Sequence, residues 1–400
     1  MNLTSPRPYW LLRNGLGATA PLLDGGKRVD VAVVGAGITG ALVADALVRA
    51  GLRVIVLDAR HPAQGSTAAS TAMLQYEIDT HLTDLVEKVG RARAVEAYHG
   101  CLYGLREVGR LARELGDVAY RARPSLYFAS SATDVKRLRA EGRLRRRVGL
   151  PCETWSRSEL AQAVDFRSGL ALWTRAAAEV DPYALCRALL ERCASGDFAI
   201  YARTRVEALV PEARRVAVHT SRGVVHARHV VVAAGYEAAC FLPAPVARLH
   251  SSYALVTEPI AGGFPGWPER CLIWESARPY LYLRTTSDHR VLVGGRDHNF
   301  RDPERRDAAV PRVAEQLLGD AQRLLPRVHM ESAYAWAGTF GETRDGLGFI
   351  GAHPALDQRI LFALGYGGNG ITYSALAARV LAAKITGRRH RYAATFAFDR

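Results

Sequence analysis

Apolar and polar positions between residues 29 and 57 follow a pattern that predicts three linked elements. A β-branched run at 29–34 ends in the turn "GAGITG" at 35–40. Alanine, leucine and valine then dominate 38–50, which reads as a helix stopped by Gly51. A second apolar run, 53–57, closes on Asp58. Strand, glycine turn, helix and strand form the βαβ unit of a parallel sheet.

Further on, 79–116 keeps apolar spacings of three and four and predicts helix. Short strands follow near 118–129, then a polar segment at 134–149 and a helix over 182–193. Hairpin-like strands cover 197–227, and "HVVVAAGYEA" at 229–238 is a buried strand running into a glycine. The stretch 250–295 reads as β throughout, and 304–325 as helix. The chain closes on a strand in "RILFALG", the loop "YGGNG" and a helix over 371–386.

Nucleotide-type α/β segments therefore sit at both ends and in the middle, with a β-rich stretch between them. The chain's 400 residues exceed one ordinary core. The expected fold class is α/β: a Rossmann-like dinucleotide domain assembled from 1–100, 170–240 and 335–400, and a second, mainly antiparallel β domain from 101–169 and 241–334.

Composition changes this picture little. The net charge is +14, but among the 53 basic residues only Lys27, Lys88, Lys136 and Lys384 are lysine. An arginine surplus beside abundant alanine reads as genomic composition bias rather than as a polyanion partner. The concentrated run Arg137, Arg139, Arg143, Arg145, Arg146 and Arg147 is expected as a solvated helix face. RNA contact is the alternative, without an aromatic platform to support it. Six cysteines show no C-x-x-C pair and no zinc spacing, so buried thiols and no metal site are expected. No H-E-x-x-H or G-x-S-x-G occurs. The leading "MNLTSPRPYWLLRNGLGATA" has no signal-peptide core and no apolar span reaches ~18 residues. A cytoplasmic protein without membrane spans is expected.

The glycine turn carries the chemistry. Gly35 permits a tight turn, Gly37 lets a pyrophosphate approach the backbone, and Gly40 lets helix and strand pack closely. The helix N-terminus adds free N–H groups and partial positive charge. Asp58, at the end of the next strand, is placed for ribose hydroxyls and argues against a 2′-phosphate. These residues leave NAD and FAD both open.

Three other stretches bear on that choice: "HVVVAAGYEA", "GSTAAST" at 65–71 and "LFALGYGGNGITYSALAARVLA" at 361–382. With the glycine turn they resemble the D-amino-acid oxidase superfamily of FAD-dependent oxidoreductases across 29–400. "RPYLYLRTTSDHRVLVGG" and "AWAGTFGETRDGLGFIG" are most similar to its γ-glutamylputrescine oxidoreductase and glycine-oxidase-like branch.

The resemblance implies a glutathione-reductase-type FAD-binding domain with a β substrate domain. It also implies oxidation of an amine or amino-acid C–N bond by hydride transfer to flavin N5, the imine then being hydrolysed. The implied cofactor residues are Gly35, Gly37, Ile38, Thr39, Gly40, Asp58, Ser66, Thr67, Val206, Ala234, Gly235, Gly367, Gly368, Asn369, Gly370, Ile371 and Thr372. A helix opening after the terminal loop would aim its positive end at reduced flavin. Tyr282 and Arg284, which share a strand face with Tyr280, and Tyr366 in the terminal loop are the catalytic candidates. Gln75, Tyr76 and Glu77 read as a helix-to-helix connection, with reach into the site as the alternative, while Trp274 and Tyr253 read as core.

The chain also departs from family patterns. Phe340 and Gly368 stand where glycine oxidases carry arginines, and Thr372 where sarcosine oxidases carry a lysine. Without such cations a carboxylate loses its charge-assisted grip unless Arg284 or Arg344 replaces them. Positions 335–338, Ala68 and Ala69 lack the cysteine or histidine of covalent members, so FAD is expected to be non-covalent. Leu292 stands where sarcosine oxidases place an oxygen-activating lysine, leaving oxygen or another acceptor open. The alternatives are an enzyme of the D-amino-acid dehydrogenase or glycine-oxidase type acting on free amino acids, and a tRNA-modifying flavoprotein.

Overall fold

The computed structural model describes residues 1–194 and 197–400. Its first sheet is built on Lys27–Val34, flanked in parallel by Val54–Leu57 and Gly223–Val232. Phe198–Tyr201 and Ile360–Leu364 extend the two sides, also in parallel. Phe349–Ala352 closes one edge antiparallel. Val206–Pro211 and Val216–Thr220 form an antiparallel meander with the first half of Gly223–Val232. The predicted βαβ unit is thus the centre of the fold.

Its central strand is apolar on both faces because both are covered. Val31 and Val33 pack into a core shared with the helices Ile38–Val48, Pro182–Arg192, Arg91–Leu115 and Gly370–Ile385. Ala32 and Val34 pack on the other side, against Val216 and Val218 of the meander. The segment predicted helical over 79–116 is two helices, Leu82–Val89 and Arg91–Leu115. They break at Gly90, whose φ of 80° ends the first helix.

The second sheet runs Ser332–Thr343, Ala247–Thr257, Val291–His298, Leu281–Thr285, Leu272–Glu275, Arg121–Phe128, Leu170–Glu179, Met73–Gln75, with Glu153–Ser156 beside Leu170–Glu179. It is antiparallel except where Leu272–Glu275 meets Arg121–Phe128. Pro303–Leu324 covers it, burying Val313 and Leu317 against Leu255, Val293 and Ala337.

This pairing corrects the expected domain limits. Leu170–Glu179, most of Ser332–Thr343 and Met73–Gln75 were assigned to the nucleotide half but belong to the second sheet. Arg91–Leu115 lies wholly with the nucleotide-side helices rather than splitting at 100. Apolar spacing identifies a strand; which sheet it joins depends on partners far away in sequence.

The leading segment is structured. Leu3 and Ser5 bond to Ser332–Thr343 through Leu3 O to Thr339 N, 2.7 Å, and Ser5 N to Ala337 O, 2.9 Å. Tyr9–Asn14 forms a short helix whose Trp10 is buried and donates to Ser70 O at 2.7 Å. Five cysteines are buried thiols; Cys240 is exposed, against expectation. Among the described residues no cluster could hold a metal, and no helix is long and apolar enough to cross a membrane.

Candidate active site

A cleft opens at the carboxyl ends of Lys27–Val34, Val54–Leu57 and Gly223–Val232, where parallel sheets place ligands. It continues over the second sheet and encloses about 2060 Å³ of space, mouth included.

The nucleotide end is built on close backbone approaches. Gly35 has φ 109°, and a Cβ on it would stand 2.6 Å from Ala233 O. Gly37 is the N-cap of Ile38–Val48 and supplies no side-chain cap, so the helix amides face the cleft. One of them, Ile38 N, is held by Thr67 Oγ1 at 2.9 Å. Asp58 accepts from Ala36 N and Arg60 N, both at 2.6 Å. Burial pushes its carboxyl up while the two amides pull it down. Arg60 pairs with Glu237 at 2.7 Å on the same rim. Ser66 Oγ lies buried at the cleft wall with no partner of its own.

The terminal loop forms the opposite wall. Gly367, at φ 77°, donates to Gly341 O at 2.8 Å. Gly368 N donates to Asp79 Oδ2 at 2.8 Å, and Asn369 Nδ2 to Gln75 O at 2.9 Å. Thr372 Oγ1 reaches the same carbonyl at 3.3 Å. Gly370–Ile385 starts without a side-chain cap, so its first amides also remain available beside the cleft. Thr39 and Ser374 join the two helix starts by a 2.8 Å hydroxyl contact.

The far half is aromatic and acidic. Tyr280 and Tyr282 line it, with Trp274, Tyr253, Trp336 and Phe340. Tyr282 lies across Gly294, where a Cβ would meet its ring at 2.2 Å. Trp274 stacks on Tyr127 at 3.7 Å and donates to Ser125 Oγ at 3.0 Å. Met73, Gln75, Glu77 and Asp79 line one wall, while Leu74, Tyr76 and Ile78 enter the core. That alternation is the period of an extended strand.

Glu77 is buried, with its edge on the cleft wall. It accepts from Arg145 at 2.6 Å and from Ser125 Oγ at 2.6 Å. Arg145 is also buried and bonds Glu141 at 2.7 Å. His81 sits alongside, bonded to Tyr127 at 2.8 Å, and burial pushes it down to about 4.

Most of the expected cofactor residues line this cleft: Gly35, Gly37, Ile38, Thr39, Asp58, Ser66, Thr67, Val206, Ala234, Gly235, Gly367, Gly368, Asn369, Gly370, Ile371 and Thr372. Gly40 does not. Its Cβ would lie 1.8 Å from Gly35 O, so it seats the helix on the turn. Tyr282 lines the cleft, but the two other catalytic candidates need correction. Arg284 is buried beyond the cavity, donating to Thr71 O, Val180 O and Thr285 O. Trp10 from the leading helix covers it, with Arg284 Cζ 5.2 Å from the ring centroid. Tyr366 turns away, stacks on Tyr236 and bonds Gly235 O at 3.2 Å. Arg344 is exposed and off the cleft. Trp274 and Tyr253 are buried as expected, yet their edges form cavity wall.

Within the basic helix Ala132–Arg147, Arg145 points inward, while Arg137, Arg139, Arg143, Arg146 and Arg147 are exposed. Sequence reasoning missed Asp79. The signal was present: Gln75, Glu77 and Asp79 recur at every second position.

These features together define an oxidoreductase-type dinucleotide site beside a separate substrate sheet. Comparison with known proteins then assigns the family. The model of the FAD dependent oxidoreductase family (DAO) matches residues 30–384, and the chain belongs to that family. A glycine oxidase of Bacillus licheniformis is 24% identical over 376 residues, covering 90% of this chain and 94% of that protein. The tRNA 5-methylaminomethyl-2-thiouridine biosynthesis bifunctional protein MnmC of Ralstonia nicotianae is 27% identical over 415 residues, covering 95% of this chain and 60% of that one. The crystal structure of glycine oxidase from Geobacillus kaustophilus superposes with a TM-score of 0.76 at 20% identity, covering 91% and 96% of the two chains.

The protein is an FAD-dependent oxidoreductase, and the cleft fits that cofactor. The close approach at Gly35, the uncapped helix start at Gly37 and the unpartnered Ser66 Oγ suit a pyrophosphate. Among the described lining residues there is no histidine, and the one cysteine, Cys240, neighbours Glu237 at the nucleotide rim. This agrees with FAD held without a covalent bond.

Proposed function

We propose that the protein oxidises the C–N bond of an amine that carries no carboxylate next to the reacting carbon. One observation carries this reading. Among the described residues lining the far half of the cleft, the only charged side chains are Glu77 and Asp79; the lining arginines, Arg60 and Arg205, lie at the nucleotide end. A free α-amino acid would bring its carboxylate to a wall with no cation to receive it, a desolvation cost without compensation. Phe340 and Gly368, which the resemblance sets at the places of glycine-oxidase arginines, both line the cleft.

Bound FAD supplies the acceptor for a hydride from the carbon beside nitrogen. Tyr280, Tyr282 and Trp274 wall the substrate and exclude water around the reacting C–H bond. The uncapped start of Gly370–Ile385 presents amides and a positive helix end to charge developing on that side of the cleft. The nitrogen gives up its proton, and water adds to the imine to release ammonia and a carbonyl product.

The deciding experiment is anaerobic visible spectroscopy of the yellow protein with a panel of primary amines, glycine and D-alanine. Bleaching by amines, with amino acids slower by about tenfold or more, supports the reading. Faster bleaching by free amino acids overturns it. Readmitting oxygen or a dye to the same cuvette then identifies the electron acceptor.

A further inference from the structure

The two carboxylates on the substrate wall are poorly placed to serve the reacting nitrogen. That nitrogen must be unprotonated when its neighbouring carbon loses hydride, and an adjacent carboxylate would hold its proton in place. Glu77 and Asp79 therefore need another explanation.

Their surroundings match the negative charge only in part. Arg145 is shared between Glu77 and Glu141, so this buried trio has one cation for two carboxylates. Asp79 makes no salt bridge among the described residues; burial pushes its carboxyl up, and Arg278, which donates to its backbone carbonyl at 3.3 Å, draws it down. Its Oδ2 accepts Gly368 N at 2.8 Å, and its Oδ1 has no hydrogen-bond partner among the described residues. Both residues line the cleft, two positions apart in the segment that follows the strand Met73–Gln75. Tyr280, Tyr282 and Trp274 face the same space. Aromatic faces beside carboxylates form a surface suited to an organic cation. A charge buried this way is costly unless its counter-ion arrives with the ligand.

We propose that Glu77 and Asp79 select a substrate with a second ammonium group, so that the class oxidised is a short diamine. One end reacts as the neutral amine; the other stays protonated against the Asp79 and Glu77 wall. This rests on the amine-oxidation reading and adds a specificity-determining residue to it, Asp79.

The test uses the FAD-loaded protein, three probes of equal backbone length and two readouts. Calorimetry measures binding of 1,4-diaminobutane, butylamine and 4-aminobutanoate; anaerobic bleaching measures reaction. The diamine is expected to bind about tenfold or more tightly than butylamine, equivalent to about 1.4 kcal/mol, and 4-aminobutanoate least. In Asp79→Asn, which keeps an oxygen for Gly368 N, the diamine-to-butylamine ratio is expected to fall towards one. Equal binding of the two amines, tighter binding of 4-aminobutanoate, no binding of any probe, or an unchanged ratio in the variant each overturn the proposal. The wild-type ratio decides even if the variant does not fold. Selective diamine binding without bleaching would remove the amine-oxidation reading and leave the recognition standing. Bleaching by butylamine with no diamine preference would do the reverse.

Discussion

Gly104 sits so close to Thr372 that a Cβ on the glycine would stand 2.3 Å from the threonine's carbonyl oxygen. Gly104 belongs to Arg91–Leu115, and Thr372 to the first turn of the helix that opens beside the cleft. The long helix thus sets the position of the cofactor-side helix through backbone contact. Gly104→Ala is expected to push that first turn out of place. Overpacking of this kind costs about 1–3 kcal/mol. The variant should lose FAD on dilution or gel filtration faster than the wild type, measured by the 450 nm to 280 nm absorbance ratio.

The buried ion network predicts contrasting outcomes within one basic segment. Arg145→Met leaves Glu77 and Glu141 together without their shared cation. Removing one partner of a buried ion pair costs about 3–5 kcal/mol. Arg137→Ala, an exposed partner of Asp84, is expected to cost under about 1 kcal/mol. Urea unfolding of both variants checks the contrast; similar losses would refute the inward role of Arg145.

Much of this site could be read from residue patterns, and the failures have physical causes. The glycine turn with Asp58, and the loop before Gly370, are local devices whose meaning is set within a few residues. Arg284 failed because strand alternation gives the face of a residue but not where the cavity ends. Tyr280, Tyr282 and Arg284 do share a face, yet Trp10, from a segment far away in sequence, closes the space over the third. Arg145 failed for a similar reason. A run of arginines reads as solvated, and only the packing of Leu82–Val89 and the Gln75–Asp79 wall turns one of them inward. The period-two series Gln75, Glu77, Asp79 was legible but was not followed to its last member.

His81 gives a pH dependence with a definite sign. Burial is the largest cause of its lowered value of about 4, with Glu141 opposing and Arg145 adding to it. An unfolded histidine takes its proton near pH 6.5. Between pH 6.5 and 4 the unfolded state binds more protons, so stability is lost as pH falls and is fully present above that window. The contribution is on the order of 3 kcal/mol at most. Asp297, pushed up to about 6 by burial, acts in the opposite direction below that pH. Comparing wild type with His81→Gln cancels the Asp297 effect. The melting temperature of the wild type is expected to fall more steeply between pH 7 and 4.5 than that of the variant.

Phe340→Arg would test what the cleft lacks. Phe340 lies on the wall, so an arginine there brings a guanidinium to the substrate half. A charge-assisted carboxylate contact is expected to lower KM for glycine or D-alanine by about tenfold. KM for an unsubstituted primary amine should rise. Steady-state kinetics on both substrates checks the crossing; parallel changes would argue against a carboxylate-blind wall.

The parallel sheet draws its strands from distant parts of the chain. Lys27–Val34 waits for Gly223–Val232, which in turn waits for Ile360–Leu364 and the helix beginning at Gly370. Contacts of such long sequence separation form slowly. During synthesis on the ribosome, the glycine turn emerges early but faces no opposite wall until the segment around 370 has left the exit tunnel. Capture of FAD is therefore a late event in folding, since both walls of its cleft exist only once the segment around 370 has joined the sheet.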